Sequence, residues 1–261
     1  MWRLVAFGNE YLTMNITSAW KRGLVVSCSH AEMMLSDALT ALERFASDWK
    51  PHHLAHLGDF LDTTALRSGA EGTPDEGADI QFDLDAGLGF LKAFFVLSRA
   101  SNKHILCMGN HDNRPYKLRR HPRAIIRKAA SDVCEDIEKT ARKLKCEVMP
   151  YDIRGNWKQV NPNLAVGHGF MFSENAVRDH AEMLGCDVIM GHLHRCEVRK
   201  GRTVKGGVGY CVGWLGDEER AYYARERRAT LAWENAFCSY ETNGKETVVN
   251  MHKRTKEGWR V

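Results

Sequence analysis

The sequence predicts an α/β fold, because short apolar, β-branched runs alternate with longer segments of helical periodicity. The chain has 261 residues, of which 44% are hydrophobic, and this composition is enough for one substantial core. Proline is sparse, and no Pro/Ser-rich linker or low-complexity tract divides the sequence. We therefore expect a single domain over residues 1–261.

The alternation is clearest over residues 23–190. Apolar side chains at helical spacing predict helices over residues 31–48, 84–97, 120–144 and 174–184. Apolar runs predict strands over residues 23–28, 53–57, 104–108, 147–151, 163–166 and 187–190. Strand and helix therefore follow one another along the chain, as in an α/β sheet.

The C-terminal part, residues 196–261, has weaker patterns that are typical of antiparallel strands. Strand-like segments occur at residues 203–204, 210–212, 229–240 and 247–251. A charged segment over residues 217–228 interrupts them and has helical character. We expect this part to complete the β structure of the domain.

Polar side chains follow directly after the predicted strands, in five separate loops. They are Cys28, His30, Asp59, Asp62, Asn110, His111, Asp112, His168, His192 and His194. The carboxyl ends of the strands of an α/β sheet face a common crevice, where ligands bind. Imidazole, carboxylate and amide donors suit first-row ions such as Mn, Fe or Zn, and two such ions about 3.5–4 Å apart can promote in-line attack on phosphorus.

Four motifs in this region resemble those of the calcineurin-like metallophosphoesterase family. GDFLD at 58–62, GNHD at 109–112, GH at 167–168 and GHLH at 191–194 match its G-D-x-x-D, G-N-H-[DE], G-H and G-H-x-H blocks. Taken singly, these residues are more often turn formers, helix caps or hydrogen-bonded core histidines. Four blocks in the family's order over residues 24–195 are specific.

The resemblance implies a metallophosphoesterase-type sandwich of mixed β-sheets flanked by helices, with residues 24–195 as the motif core. It also implies two divalent metal ions, Mn, Fe, Zn or Ni, and metal-dependent hydrolysis of phosphoric esters. Asp59 would bridge the two ions. One ion would be held by Asn110, His168 and His192, and the other in part by His30 and His194.

The same resemblance implies that His111 is not a metal ligand. At this position the family uses an imidazole to protonate the leaving oxygen or to stabilise charge on the phosphate, and a pKa near neutrality suits that role. Asp62 or Asp112 would orient the ring of His111. We prefer Asp62, because the second Asp of the G-D-x-x-D block is the usual partner in the family.

The chain departs from the family at Cys28. The family opens with D-x-H, whereas this sequence has Cys28-Ser29-His30. Cys28 could bind a metal as a thiolate, which would favour softer ions such as Zn or Fe. The first metal site could instead be weakened, so that one ion is tightly held and the other is loose or recruited with the substrate. A third alternative makes Cys28 a small buried residue, with water or Glu32 in the vacant position.

The basic segment from Arg114 to Lys128 directly follows the GNHD motif and could contact a polyanion such as DNA or RNA, although such a segment is often only a solvated helix face. Candidate substrate-binding residues are Arg67, Arg114, Arg119 and Arg120. Thr63 stands where protein Ser/Thr phosphatases carry Arg, which disfavours a phosphoprotein substrate. The layout is similar to phage and bacterial metallophosphoesterases that act as phosphodiesterases or nucleases.

The leading hypothesis is therefore hydrolysis of a nucleotide or nucleic-acid phosphodiester by metal-activated water. The first alternative is a phosphomonoesterase. The second is a catalytically degenerate nucleic-acid-binding or scaffold protein. The scattered cysteines, without a C-x-x-C pair, and the absence of an apolar segment of 18 residues predict a cytoplasmic protein without a membrane partner. The sequence does not predict the oligomeric state.

Overall fold

Two mixed β-sheets pack face to face and carry helices on their outer faces. The computed structural model describes residues 20–98, 104–221, 224 and 227–260. Sequence alternation within the strands explains the layering. In the strand Lys21–Val26, Leu24 and Val26 pack with buried helical residues, whereas Val25 packs with residues of the second sheet.

Among the described residues, seven strands form the first sheet, in the order β12-β11-β10-β1-β2-β3-β4. Their bounds are Lys21–Val26 (β1), His53–His56 (β2), His104–Cys107 (β3), Cys146–Met149 (β4), Ala236–Thr242 (β10), Thr247–Thr255 (β11) and Gly258–Trp259 (β12). Strands β1 to β4 are parallel, and β10 pairs antiparallel with β1. The parallel half of the sheet therefore directs the carboxyl ends of β1, β2 and β3 to one edge.

Five described strands form the second sheet, in the order β5-β6-β7-β9-β8. Their bounds are Trp157–Asn161 (β5), Leu164–Gly167 (β6), Asp187–Met190 (β7), Cys196–Lys200 (β8) and Val208–Val212 (β9). Strands β6, β7 and β9 are parallel, and the two outer strands are antiparallel to their neighbours. Apolar side chains of both sheets, such as Val25, Val166 and Ile189, form the core between them.

Five α-helices in the described part of the chain cover the sheets. Their bounds are Ala38–Trp49 (α1), Ile80–Phe95 (α2), Asn113–Leu118 (α3), Ala124–Lys143 (α4) and Ala176–Leu184 (α5). Buried residues of α1, α2 and α4 pack on the outer face of the first sheet, and those of α5 pack on the second. Among the described helices, none combines the length and apolarity needed to cross a membrane.

The predicted α/β sandwich of mixed sheets with flanking helices is confirmed. Several boundaries differ. The helix predicted from residue 31 begins at Ala38, because Ala31–Met33 forms a 3₁₀ turn in the loop after β1. The prediction of a strand at residues 203–204 is wrong, since these residues form a turn, and strands β5 and β8 were not predicted.

The region of residues 217–240 also differs from its prediction. Its described residues contain 3₁₀ turns at Glu218–Arg220 and Arg228–Ala232 instead of the helix predicted over residues 217–228, part of which lies outside the described residues. The strand predicted from residue 229 begins only at Ala236. The alternation of this segment is too weak to distinguish a strand from a short turn.

Candidate metal centre

The loops after five strands bring the polar motif residues to one edge of the sandwich. Cys28 and His30 follow β1, Asp59 follows β2 and Asn110 follows β3. On the second sheet, His168 follows β6, and His192 and His194 follow β7. The shared direction of these parallel strands is the reason that residues 28 to 194 meet in space.

Four side chains form the first group of possible metal donors. One ligand atom each of Cys28, His30, Asp59 and His194 lies within 4.8 Å of the others, and all four residues are buried. The Nε2 atoms of His30 and His194 are 3.0 Å apart. Two imidazoles, a carboxylate and a sulfur therefore converge on one point.

A second group shares Asp59 with the first. One ligand atom each of Asp59, His168 and His192 lies within 4.8 Å of the others. Asn110 belongs to the same group in space, because its Oδ1 is 3.2 Å from His168 Nε2. Asp59 Oδ2 is 3.3 Å from that same nitrogen. The carboxylate of Asp59 thus lies between the two donor groups.

The protonation states of these residues fit divalent ions. Burial and neighbouring His30 hold the pKa of His194 well below its usual range, and burial with His168 lowers the pKa of His192 to about 3. Both rings are therefore neutral, as ligation requires. Their Nδ1 atoms are buried and have no hydrogen-bond partner among the described residues. Buried nitrogens without a partner are costly unless a cation or water engages them.

Cys28 lies in the loop after β1 and contacts both Ser27 and His192. Its Sγ lies 3.2 Å from Ser27 Oγ and accepts a hydrogen bond from the His192 N–H at 3.3 Å. Burial, and next the charge of Asp59, raise the pKa of the Cys28 thiol well above its usual value, against these two hydrogen bonds. A cation bound by the donor group would lower the pKa of the Cys28 thiol instead, since coordinated thiols lose their proton.

Asp62 connects the first donor group to His111. Its Oδ1 is 2.9 Å from His30 Nδ1 and 3.1 Å from His111 Nδ1. His111 Nδ1 is also 2.9 Å from the carbonyl oxygen of Asp62. Burial alone would lower the pKa of His111, but the charge of Asp59 and the contact with Asp62 outweigh it and raise that pKa. The ring of His111 is thereby oriented through Nδ1.

Asp112 has different contacts from those of Asp62. Its carboxylate accepts hydrogen bonds from the backbone N–H groups of Asp59, Leu61 and Gly109, at 2.7, 2.9 and 2.8 Å. Burial and the charge of Asp59 raise its pKa to about 7, against the hydrogen bonds from Leu61 and Gly109. These bonds join the GDFLD and GNHD loops. The contacts of His111 thus favour Asp62 over Asp112 as its orienting residue.

Two further residues support the site, and one of them, Asp83, was not predicted as a site residue. Asp83, near the start of α2, is buried and accepts hydrogen bonds at 3.0 Å from the N–H groups of Asp62 and Thr63. Burial raises its pKa to about 6. Trp214 is buried, and its ring stacks on His194 with centroids 4.7 Å apart and planes 6° apart. An acidic residue in the apolar stripe of α2 was the available signal for Asp83.

The predicted substrate-binding arginines separate into two sets. Arg114 donates through Nη1 to the carbonyl oxygen of Asp62 at 2.6 Å, and Arg67 pairs with Asp75. Both line a cavity of about 490 Å³ beside Asn110 and His111, together with Lys117 and Arg227. Arg119, paired with Glu138 at 3.5 Å, and exposed Arg120 are not among the described residues that line this cavity.

The backbone around the donors is held in a strained form. Positive φ angles occur at non-glycine residues of these loops, namely Cys28, His30, Ala31, Asp59, Thr63, His192 and His194. Such conformations persist only where the surrounding structure fixes them, and they concentrate at functional sites. The loops also approach closely, because a Cβ on Gly109 would lie 2.0 Å from Asp59 Oδ1. Position 109 therefore requires glycine, because a side chain there would clash with the shared carboxylate of Asp59.

Two mixed sheets with histidine, aspartate and asparagine donors at one edge define the class of metal-dependent phosphoester hydrolases. Residues 22–196 match the calcineurin-like phosphoesterase family. The chain therefore belongs to this family, whose members use a dinuclear centre of divalent metal ions. No curated protein sequence matches the chain.

Several solved structures resemble the chain over most of its length. A mutant of Vps29 from Entamoeba histolytica is 12% identical, with 92% of this chain and 96% of that chain covered and a TM-score of 0.48. A dimetal phosphatase from Danio rerio is 9% identical, with 90% and 96% covered and a TM-score of 0.43. The nuclease MPE of Pseudomonas putida is 16% identical, with 87% of each chain covered and a TM-score of 0.38.

Proposed function

We propose that this metal-dependent phosphoester hydrolase cleaves phosphodiesters of nucleotides or nucleic acid. The observation that carries the proposal is the cavity of about 490 Å³ beside His111 and Asn110, whose walls include Arg67, Arg114 and Lys117. A diester has a substituent on each side of the reacting phosphorus, and a polynucleotide adds further phosphates. A cationic cavity next to the donor groups offers room and charge for these flanking groups.

The donor groups would hold two divalent ions, with Asp59 shared between them. Cys28, His30 and His194 would complete one set, and Asn110, His168 and His192 the other. When bound, such ions lower the pKa of water to give a nucleophile and neutralise phosphate oxygens. The thiolate of Cys28 in the first set is part of this proposal, supported by the convergence of its sulfur with His30, Asp59 and His194.

His111 would act on the leaving oxygen. Its Nδ1 is engaged by Asp62, so Nε2 is the nitrogen that can donate a proton to substrate. The acidic neighbours Asp59 and Asp62 favour the protonated ring, which supports a role as general acid or as a positive charge beside the phosphate. Arg114, which bonds to the Asp62 carbonyl oxygen, would fix the loop that orients His111.

Hydrolysis of bis-p-nitrophenyl phosphate and of p-nitrophenyl phosphate, each with Mn, Fe, Zn and Ni, tests the proposal. We expect the diester to be the better substrate. The variant His111→Ala should lower kcat for the diester by about 100-fold or more, since general acid catalysis contributes this much. The control His121→Ala changes a histidine outside the described donor groups and should be neutral.

Preference for the monoester would identify a phosphomonoesterase instead. If no metal supports cleavage of either ester, the enzymatic proposal fails, and a binding or scaffold function replaces it. Equal activity of wild type and His111→Ala would remove the role given to His111 and leave the class of reaction unchanged.

A further inference from the structure

A second cavity has a volume of about 310 Å³ and is lined by residues of α3, α4 and β4. It extends along β4 from Cys146 to Pro150 and Tyr151, which follow the carboxyl end of that strand. Its walls are largely apolar and include Met108, Ile137 and Val148. Met108 directly follows β3 in the loop that leads to Asn110. The cavity therefore opens beside the same catalytic loop, on the side of β4.

Tyr151 joins this cavity to the metal donors. Its ring lines the cavity, and it also contacts His168 edge-to-face, with centroids 5.8 Å apart. His168 Nε2 is in turn 3.2 Å from Asn110 Oδ1. Tyr151 thus contacts a residue of the second donor group and also lines the cavity. A ligand whose phosphate lies at the donors could extend past Tyr151 into the cavity.

Helix α3 divides this cavity from the cationic one. Asn113 and Tyr116, three residues apart, line the apolar cavity. Arg114 and Lys117, also three residues apart, line the cationic cavity. Residues at this spacing share one face of a helix. The short helix therefore presents a face suited to anions on one side and a face suited to an uncharged aromatic group on the other.

The lining of the apolar cavity has the chemistry that a nucleobase requires. Tyr116 and Tyr151 offer aromatic surfaces, and bases stack on such rings with little dependence on sequence. Asn113, Glu138 and Arg142 add hydrogen-bonding groups to the lining. The volume also falls at the lower end of the range of about 300–1,000 Å³ for small-ligand pockets.

We propose that this cavity binds the nucleobase of the nucleotide whose phosphate lies at the donor groups. The inference rests on the proposed hydrolysis of nucleotide phosphodiesters and names the element that recognises the nucleotide. Base and flanking phosphates then occupy opposite sides of α3. The base is held by stacking on Tyr116 and Tyr151, and the phosphates by Arg67, Arg114 and Lys117.

Binding measured by calorimetry in the presence of Zn tests the inference without turnover. The ligands are phosphonate analogues of the four nucleoside 5′-monophosphates, whose C–P bond is not hydrolysed, and the corresponding analogue of ribose 5-phosphate, which lacks a base. We expect at least one nucleoside analogue to bind wild type about tenfold more tightly than the ribose analogue, as expected for one stacked base.

The variant Val148→Trp fills the cavity from its exposed rim and should abolish this difference while leaving the affinity for the ribose analogue unchanged. Val198→Trp is the matched control, because Val198 is an exposed strand valine of the other sheet, and it should behave as wild type. Equal affinities for all ligands in wild type would overturn the inference. A base-dependent gain that persists in Val148→Trp would also overturn it.

Failure of the nucleobase cavity and failure of the proposed function give different results. Cleavage of bis-p-nitrophenyl phosphate without base-dependent binding would refute the nucleobase cavity alone. Base-dependent binding that Val148→Trp removes, in a protein that cleaves neither test ester, would support the cavity and refute the diesterase.

Discussion

Asp62 Oδ1 lies 3.1 Å from His111 Nδ1, and the same oxygen is 2.9 Å from His30 Nδ1. One carboxylate therefore holds a ring of the first donor group and the ring proposed to assist the leaving oxygen. Burial would raise the pKa of Asp62, but the hydrogen bonds and charges of His111 and His30 together hold that pKa well below its usual value. Asp62 is therefore ionised at the point where its carboxylate contacts both imidazoles.

Replacement of this charge should lower activity without unfolding the protein. We expect Asp62→Asn to reduce kcat for bis-p-nitrophenyl phosphate by about 100-fold at saturating metal, because the amide no longer stabilises the protonated ring of His111. Asp79→Asn is the control, since Asp79 caps α2 and Asn caps helices equally well. A similar loss in both variants would show that the effect is not specific to Asp62.

Replacement of Asp112 should lower the stability of the fold more than it affects the role of His111 in the reaction. Asp112→Ala leaves three buried backbone N–H groups without their acceptor, and we expect the free energy of unfolding in urea to fall by more than about 3 kcal/mol. Asp132→Ala removes an exposed carboxylate of α4 and should change it by less than about 0.5 kcal/mol. Unchanged stability of Asp112→Ala, with loss of activity alone, would favour a direct role for Asp112 at His111.

The sequence was sufficient to predict the central part of the metal centre. Each motif follows a strand of high apolarity, so the positions of Asp59, Asn110 and His168 at one edge follow from the parallel connections. Asp83 could not be predicted in the same way. It contacts the Asp62 loop from a helix about twenty residues away, and its role depends on how α2 packs against that loop.

Side-chain direction was the second feature that could not be predicted from the sequence. The basic segment was predicted as a unit, but helix geometry directs Arg114 and Lys117 toward the cationic cavity and leaves Arg119 and Arg120 outside its described lining. Strands β5 and β8 are edge strands with polar, partly exposed sequences, and they lack the apolar runs by which buried strands are recognised.

Gly109 should be intolerant of a side chain. Gly109→Ala places a Cβ 2.0 Å from Asp59 Oδ1 and 2.4 Å from Asp59 N, so the shared carboxylate must move. We expect loss of bound metal by elemental analysis and loss of diesterase activity. Gly89→Ala is the control, because a Cβ at this exposed position of α2 meets nothing within 4 Å. That change should preserve metal content and stabilise the helix by up to about 1 kcal/mol.

The position of Lys117 predicts how a polyanion binds. Lys117→Ala should weaken binding of single-stranded DNA and reduce the slope of log K against log salt concentration by about 1, as for loss of one phosphate contact. Arg120→Ala removes an equal charge outside the described lining of the cavity and should change the slope less. Equal changes in both variants would indicate that the whole basic segment attracts DNA diffusely.

Cys28 determines the metal preference in our proposal. In Cys28→Asp the first donor group gains a hard oxygen in place of sulfur, and we expect bound metal and activity to shift from Zn or Fe toward Mn. Cys28→Ala removes the donor without replacing it and should lower the amount of metal bound to the first group only. Elemental analysis of the three proteins after exposure to equimolar Mn, Fe and Zn measures the shift. Identical metal profiles and activities in wild type and Cys28→Asp would refute ligation by the thiolate, and the sulfur would then serve only as an acceptor for the His192 N–H.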